Sequence, residues 1–319
     1  SDSSVNLLPS VFGVHPLTED VTLGLGLFVP FGQSSEWEKD GPFRGVAPYF
    51  AELHTLNVNP NLAVRVNDKL SIAAGVSAVF AEIETKQLLV SPTDPTGPAA
   101  DARAEGDDTA FAWNLAATLK PAEGHTIGAT YRSGFDANYS GDTTISGAPP
   151  PFSPNSSFSS KIEFPQIVGL GYGLKINERL TVGVDAEWTE FSSYASLPLS
   201  FGANTPFLPF PPAIPQEWDD SWSYGLGLIY EVSDVWTVRG GYDYFESPVP
   251  ENTLAPTLPD GDRHAFSLGL GMQREQHRID ISYAISLNDV DVEENQNPFY
   301  KGTYDMDRHV VAVSYILSL

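Results

Sequence analysis

The stretch SWSYGLGLIYEV, residues 221–232, decides the fold class. Large apolar side chains occupy every second position in it, at Trp222, Tyr224, Leu226, Leu228 and Tyr230. This period of two predicts a β-strand with one apolar face. The aromatic residues lie at both ends of an aliphatic centre, and Tyr and Trp concentrate at the two water interfaces of a membrane. A soluble β-sandwich also has alternating strands, but its core gives no reason for aromatic rings at both ends.

The same pattern recurs in residues 236–245, 278–287 and 311–319. Applied to the whole chain, it predicts thirteen strands near residues 5–16, 21–32, 51–66, 70–84, 109–119, 125–139, 158–174, 179–195, 220–232, 236–247, 263–273, 278–290 and 306–319. Short turns alternate with long connections at residues 33–50, 85–108, 140–157, 196–219, 248–262 and 291–305. This layout is typical of an outer-membrane barrel. We therefore predict an all-β, transmembrane antiparallel β-barrel that forms a single domain over residues 1–319.

The number of strands leads to a further expectation. Bacterial barrels made from one chain normally have an even number of strands, whereas thirteen are predicted here. The first predicted strand starts on the side of the long connections and the last one ends on the side of the short turns. We therefore expect a closing strand to be missing before Ser1, together with whatever preceded it.

Composition excludes several function classes. The net charge is −24 with only 17 Lys and Arg residues, whereas nucleic-acid binding requires clusters of basic residues. No cysteine is present, so disulfides and thiolate metal sites are excluded. No apolar run reaches the ~18 residues of a membrane helix. Much of the acidic charge falls in the stretches AEGDD (104–108) and NDVDVEEN (288–295), which we expect to form a solvated rim.

The sequence also gives no sign of an enzyme, a cofactor or a dedicated metal site. The repeated GLGL stretches are not followed by a helical pattern, which a dinucleotide loop requires. The six histidines lack the close pairing of a metal or catalytic site. The acidic run near Asp289 lacks the central Gly and terminal Glu of an EF-hand. We therefore expect a protein without catalytic residues.

One predicted strand is interrupted. In VTLGLGLFVPFGQSSEW, residues 21–37, the alternation runs into Pro30 and Gly32. Proline cannot donate to a sheet ladder, and a nearby glycine often marks a bend. We predict that the barrel wall is broken here.

Charged and amide side chains on the inward parity form a second set of candidates. They are Asn57, Asn59, Asn61, Arg65, Arg132, Asp185, Glu187, Arg239 and Asp243. One interpretation is a structural network of paired charges that fills a polar interior. The other is a ligand site in which an arginine holds a carboxylate. Both interpretations remain open at the level of the sequence.

The connection SLPLSFGANTPFLPFPPAIP, residues 196–215, is unusually apolar for a segment that should face water. Its large side chains are Leu197, Leu199, Phe201, Phe207, Leu208 and Phe210. Contiguous exposed apolar surface usually marks interaction or ligand capture. The alternative is that the segment folds inward and buries its own side chains. Either way, it is a candidate for capturing a hydrophobic ligand.

The chain resembles the FadL family of long-chain fatty-acid and hydrocarbon transporters of Gram-negative outer membranes. The matching stretches include LGLFVPFG, LNVNPNLAVRVNDKLSIAAGV, FAWNLAATLKP, IGATYRSGF, GYDYFESPVP and LPDGDRHAFSLGLG. The resemblance implies a monomeric barrel of fourteen strands with an N-terminal hatch inside it. It also implies that outer loops capture the hydrophobic ligand and that an inward kink in the third strand provides a lateral exit into membrane lipid. FVPFG matches that kink, which assigns Phe28, Pro30, Phe31 and Gly32 to the exit.

Three departures from the family are visible. The hatch and first strand have no counterpart in this chain, the connection 85–108 is short and polar for a capture loop, and the final residue is Leu319 where many such barrels end in an aromatic residue. The predicted function is outer-membrane uptake of fatty acids or hydrocarbons. The rival is a general diffusion porin with a polar, open lumen.

Overall fold

The computed structural model describes residues 7–90, 94, 96–97, 99–147, 155–202 and 213–318. Short 3-10 turns lie at Phe191–Ser193, Glu251–Thr253 and Pro298–Tyr300. The strands are β1 (Val11–Pro16), β2 (Val21–Phe28), β3 (Gly32–Glu36), β4 (Phe50–Arg65), β5 (Leu70–Leu89), β6 (Ala100–Leu119), β7 (His125–Arg132), β8 (Phe135–Ser146), β9 (Asn155–Phe164), β10 (Ile167–Lys175), β11 (Leu180–Thr189), β12 (Ser196–Phe201), β13 (Ala213–Pro215), β14 (Ser221–Glu231), β15 (Trp236–Phe245), β16 (Arg263–Arg274), β17 (His277–Leu287), β18 (Asp289–Val292), β19 (Gly302–Asp305) and β20 (Arg308–Leu317). Among the residues that the structure describes, no helix is long and apolar enough to span a membrane.

A single antiparallel sheet forms the wall. Its strands pair in the order β1, β2, β4, β5, β6, β7, β10, β11, β14, β15, β16, β17 and β20. These are thirteen wall strands, so the predicted number is confirmed. Within the described ranges, β1 pairs only with β2 and β20 pairs only with β17.

Contacts between the two ends of this strand order show that the sheet curves into a barrel. The Ser35 hydroxyl donates to the Thr257 carbonyl oxygen at 2.9 Å, and the Trp37 indole donates to the Pro256 carbonyl oxygen at 2.9 Å. Ser35 lies in β3, near the start of the strand order, whereas Thr257 lies between β15 and β16. Bacterial barrels have short turns at the periplasmic end and longer loops at the extracellular end. These contacts therefore belong to the extracellular end.

The outward face of the wall is apolar. Leu268 is 70% exposed and Phe111 is 77% exposed, and the exposed large side chains continue along neighbouring strands. Large apolar surface of this extent requires an apolar surrounding. The alternate positions carry Gly, Ser, Asn and charged residues, as in the pairs Gly225 with Asp243 and Gly271 with Asp280. The fold is therefore an all-β, transmembrane antiparallel β-barrel, as predicted.

Five of the six predicted long connections contain strand residues, and two of them consist mostly of strand. The connection predicted at 85–108 is largely strand, because β5 and β6 stay paired from Leu70 with Leu119 up to Leu89 with Ala100. The connection predicted at 140–157 is likewise shortened by β8 and β9. The inward positions of these extensions carry alanines such as Ala102 and Ala104, both buried. The alternation is hard to recognise in the sequence here, because the inward residues are small and the residues between them are charged.

Three predicted strands are divided where the sheet changes neighbours. The predicted strand 125–139 contains β7 and part of β8, and 158–174 contains most of β9 and β10. In the extracellular half β6 pairs with β8, β8 with β9, β9 with β12, and β12 with β13. The third division, within 21–32, is the predicted break and is described below.

The buried interior of this extracellular half is apolar. We call it the upper cluster, and it consists of Val79, Ala81, Ile83, Ala104, Ala110, Ala112, Phe135, Ala137, Tyr139, Phe158, Ile162, Phe164 and Tyr194. Burial raises the pKa of Tyr139 and of Tyr194 above the ordinary tyrosine value, because water no longer solvates the phenolate. Both phenols are therefore neutral at physiological pH.

A second apolar cluster closes part of the extracellular end. We call it the cap; Leu254, Val292 and Tyr304 are buried in it, and Trp37, Phe43, Val249, Val290 and Met306 pack around them. Val292 and Tyr304 of the cap come from the hairpin formed by β18 and β19. The predicted acidic rim at 288–295 is therefore partly a hairpin whose valines turn inward.

Candidate functional site

The predicted break lies between β2 and β3. Pairing of β2 with β4 ends at Phe28 with Asn57, and pairing of β3 with β4 resumes at Gly32 with His54. Three residues, 29–31, therefore stand opposite two, 55 and 56. This count is that of a β-bulge, which bends the strand that carries the extra residue. The prediction that the strand is interrupted around Pro30 is therefore confirmed.

Thr55 satisfies the backbone groups that the break frees. Its amide donates to the Phe31 carbonyl oxygen at 2.9 Å, and its hydroxyl oxygen lies 3.0 Å from that oxygen and 3.2 Å from the Phe31 amide. Thr55 is fully buried. Unpaired backbone groups are costly in a membrane, so this side chain stabilises the bulge on its β4 side.

The other edge of β3 has no strand partner. In the described structure β3 pairs only with β4, and the pairing of β1 with β2 begins at Val11 with Leu27. At the extracellular end of β3, the hydrogen bonds from Ser35 and Trp37 connect the strand to the loop between β15 and β16. Within the described residues, β3 therefore has one edge without a strand partner, which is held near Ser35 by these bonds.

Phe31 turns its ring toward the interior at the break. The ring centroid lies 5.0 Å from that of Phe164 and 6.2 Å from that of Phe135. Phe135 and Phe164 are stacked with centroids 4.5 Å apart. Phe31 is half-buried and packs against the upper cluster. The break is therefore in direct contact with the apolar interior.

Phe28 lies on the periplasmic side of the same break and meets a charged residue. The Arg132 guanidinium carbon lies 5.4 Å from the centroid of the Phe28 ring, which is within cation–π range. Phe12 stacks on Phe28 with centroids 5.9 Å apart. Among the described residues, no carboxylate forms an ion pair with Arg132. Glu187 lies close enough to interact electrostatically with Arg132 but beyond ion-pair distance. The break thus separates an apolar region from a lumen that carries a cation.

The amide candidates form a hydrogen-bonded network beside the break. The Asn59 side-chain amide donates to Asn114 Oδ1 at 2.8 Å and to Ser77 Oγ at 2.8 Å. Asn114 in turn donates to Asn61 Oδ1 at 2.8 Å. Asn57 is buried, and its Oδ1 accepts no hydrogen bond from a described residue. These residues make the lumen wall below the break polar.

The other charged candidates lie apart from Arg132, with the exception of Glu187, which interacts with it electrostatically. Arg239 pairs with Asp280 at 2.6 Å, and Asp280 also pairs with Arg278 at 2.8 Å. Asp185 and Asp243 flank Gly225 on adjacent strands, and Glu187 is exposed two residues along β11. Arg65 is exposed at the periplasmic end of β4, where its amide donates to the Asp20 carbonyl oxygen. The structure therefore does not bring all predicted lumen residues into one site.

The described part of the predicted capture segment lies against the interior. Leu197, Leu199 and Phe201 belong to β12, are half-buried and pack on the upper cluster. The Phe201 ring lies 5.7 Å from that of Phe158. This placement corresponds to the inward alternative for these three residues. Phe207, Leu208 and Phe210 lie outside the described residues.

Sequence reasoning missed Thr55, Asn114, Phe135 and Phe164. Asn114 shares the inward parity of Ala112 and Ala116, so its orientation was available from the pattern. Phe135 follows Gly134, and Phe164 precedes Pro165, where the chain passes from β7 to β8 and from β9 to β10. Their meeting with Phe31 depends on barrel curvature, which no local pattern encodes.

Comparison with known proteins gives one consistent result. A family model described as outer membrane protein transport protein (OMPP1/FadL/TodX) matches residues 2–319. The 47 kDa outer membrane protein of Pasteurella multocida is 28% identical over 295 residues, which cover 82% of this chain and 65% of that protein. The long-chain fatty acid transport protein of Escherichia coli K12 is 24% identical over 300 residues, covering 82% of this chain and 66% of that protein. The chain thus spans about two thirds of the length of these relatives.

Solved structures agree on the fold. A Pseudomonas aeruginosa FadL homologue is similar with a TM-score of 0.80 and 25% identity, covering 97% of this chain and 76% of that chain. The Pseudomonas putida toluene transporter TodX gives a TM-score of 0.75 with 19% identity, covering 98% of this chain and 82% of that chain.

Proposed function

The chain belongs to the OMPP1/FadL/TodX family of outer membrane transport proteins, and on this basis we propose that it takes up hydrophobic small molecules across the Gram-negative outer membrane. The proposed cargo is a long-chain fatty acid or a hydrocarbon. We propose that the cargo leaves sideways, into membrane lipid, through the wall break at Phe28, Pro30, Phe31 and Gly32.

The observation that carries this proposal is the bulge between β2 and β3, next to an unpaired edge of β3. One edge of β3 has no strand partner in the described structure, and the inward end of the break touches the apolar upper cluster. An apolar chain of about fifteen methylenes loses roughly 12 kcal/mol on entering water. Release into the aqueous periplasm is therefore strongly unfavourable, whereas release through the wall avoids most of this loss.

The residues around the break suit an amphiphile with one anionic end. Its tail would contact the apolar rings of the upper cluster, and its carboxylate would meet Arg132, which forms no ion pair within the described residues. The amide network of Asn59, Asn61 and Asn114 gives this level of the lumen hydrogen-bonding capacity. In this proposal Asp185 and Arg239 act in the polar interior away from the break, Glu187 lies near Arg132, and Arg65 lies at the periplasmic end.

Capture is proposed at the extracellular end. Leu197, Leu199 and Phe201 connect the apolar segment 196–215 to the upper cluster, so a ligand that reaches β12 stays in contact with apolar side chains on its way inward. We propose that the protein acts as a monomer whose partners are its cargo and outer-membrane lipid. No catalytic role belongs to this proposal.

The test closes the break. The double substitution Pro30→Val and Gly32→Thr supplies a backbone donor and two β-branched residues, which favours a continuous strand. We expect it to reduce uptake of a labelled long-chain fatty acid at equal surface expression. Pro60→Val is the matched control, because Pro60 faces outward in β4, away from the break. Unchanged uptake in the double variant would contradict lateral release.

Conductance distinguishes transport from general diffusion. A porin with a polar, open lumen passes ions steadily in a planar bilayer. We expect the purified full-length protein to show no such steady current while it transports fatty acid. A stable current together with equal uptake of hydrophilic and hydrophobic solutes would favour the porin.

A further inference from the structure

We propose that the ring of Phe31 is the gate of the wall break and that it selects cargo by width. This inference rests on the proposed uptake through the break and assigns selection to one side chain. Phe31 is the residue of the break whose ring packs on the upper cluster.

The ring closes the inner side of the break. Phe31 inserts against a stacked pair formed by Phe135 from β8 and Phe164 from β9, at centroid distances of 6.2 and 5.0 Å. Neither β8 nor β9 pairs with β3, so the contact reaches across the interior. A molecule that moves from the upper cluster toward lipid has to displace this ring.

The backbone beneath the ring is held in place. The Thr55 amide and hydroxyl contact the carbonyl oxygen and amide of Phe31, at 2.9 to 3.2 Å. Opening the break by separating β3 from β4 would lose these hydrogen bonds. Rotation of the Phe31 side chain loses none of them and gives up only its ring contacts with Phe135 and Phe164. The side chain can therefore move while the backbone of the break stays in place.

The surroundings of Phe31 are partly open. Phe31 is half-buried, and one edge of β3, which begins at the next residue, has no strand partner in the described structure. Rotation exchanges contact with two aromatic rings for contact with cargo or lipid, so an apolar cargo compensates for the lost ring contacts.

A gate of this kind discriminates by cross-section. A straight alkyl chain passes a partly rotated phenyl ring, whereas a fused ring system needs the whole space. Removing the ring should therefore raise passage of bulky cargo more than passage of linear cargo. A purely structural role for Phe31 would lower uptake of both cargoes in proportion.

The experiment measures two uptake rates in the outer membrane of a host without another protein of this family. The probes are labelled palmitate and a fatty acid with a terminal pyrene. In Phe31→Ala, we expect the ratio of pyrenyl to palmitate uptake to rise roughly tenfold, the scale on which small apolar differences are discriminated. Phe31→Leu keeps an apolar contact and should give an intermediate ratio. Phe111→Ala, a lipid-facing phenylalanine, is the matched control.

The outcomes separate the gate from the function. One outcome overturns the gate and leaves the proposed function standing. In it, the wild type takes up palmitate, but the ratio of pyrenyl to palmitate uptake is unchanged in both Phe31 variants at wild-type surface levels. Failure of the wild type to take up either probe overturns the proposed function and the gate with it. A ratio of pyrenyl to palmitate uptake that rises from wild type to Phe31→Leu to Phe31→Ala supports the gate. If Phe31→Ala inserts poorly into the membrane, the comparison of Phe31→Leu with wild type still gives the direction of the change.

Discussion

The guanidinium of Arg132 lies 5.4 Å from the ring centroid of Phe28, although three strands separate β7 from β2 in the sheet. The contact places a cation beside the wall break, and no described carboxylate pairs with it. Arg132→Gln should therefore weaken binding of a fatty acid by roughly tenfold, the equivalent of a hydrogen bond to a charged group. Binding of the corresponding alkane should change little. Titration of the purified protein with both ligands gives the two affinities.

Arg132→Lys is the control for charge. Lysine keeps the positive charge but lacks the planar fork that pairs with a carboxylate in a bidentate manner. We expect an affinity for the fatty acid between those of the wild type and Arg132→Gln. Equal losses for fatty acid and alkane in Arg132→Gln would show that Arg132 supports the packing of Phe28 instead of binding the carboxylate.

The hydroxyl of Thr55 should be required for a stable break. Thr55→Val keeps the shape of the side chain and leaves the Phe31 amide without its hydroxyl acceptor, while the Thr55 amide still donates to the Phe31 carbonyl oxygen. A buried backbone group without a partner costs about 1–3 kcal/mol. We expect the free energy of unfolding in urea and lipid vesicles to fall by that amount. Thr55→Ser, which retains the hydroxyl, should lose much less. Equal destabilisation by both variants would attribute the effect to packing.

The barrel was predictable because its signal is local and repeated. Each wall strand shows its own alternation, so thirteen weak signals point to one fold, and the family resemblance agrees with them. The extensions of β5 and β6 were less visible, since their inward residues are alanines beside charged neighbours such as Arg103 and Glu105. Alternation of small residues with charges resembles a polar loop until strand pairing shows which residues turn inward.

The site was predictable only in part. Pro30 revealed the break because proline has a local effect on strand pairing. The partners of the break come from distant segments, since Phe135 and Phe164 meet Phe31 across the interior. Arg239 forms an ion pair with Asp280, whereas Arg132 forms none with a described residue and interacts with Glu187 only at longer range. By the alternation pattern, both arginines have the same inward parity. Which of them is neutralised depends on neighbours that only the register of the sheet defines.

Capture by β12 should depend on its apolar side chains. Phe201→Ser removes the ring that packs 5.7 Å from Phe158. We expect slower uptake at low fatty-acid concentration and near-normal uptake at saturation, because capture limits the rate only when ligand is scarce. Phe299→Ser is the control, since Phe299 is 64% exposed in the loop between β18 and β19. A loss that persists at saturating ligand would place Phe201 in a later step.

The cap should loosen at alkaline pH through Tyr304. Burial raises the pKa of Tyr304 to about 12 from an ordinary value of 10.0, since the interior disfavours the phenolate, and its hydroxyl donates to the Tyr300 carbonyl oxygen at 2.8 Å. Between pH 10 and 12 the unfolded segment loses the proton while the folded one keeps it. The folded state then binds more protons, so stability falls as pH rises. The contribution of Tyr304 to stability is fully present below pH 10.

Hydrogen exchange over residues 288–306, measured from pH 8 to pH 11 and corrected for the intrinsic rate, should therefore show progressive loss of protection. Tyr304→Phe keeps the ring and removes the titrating hydroxyl, so its cap should be less sensitive to pH although it lacks the hydrogen bond to Tyr300. Protection of the wall strands β15 and β16 serves as the internal reference. If the cap and the wall lose protection together in both proteins, alkaline opening belongs to the whole barrel and Tyr304 does not control it.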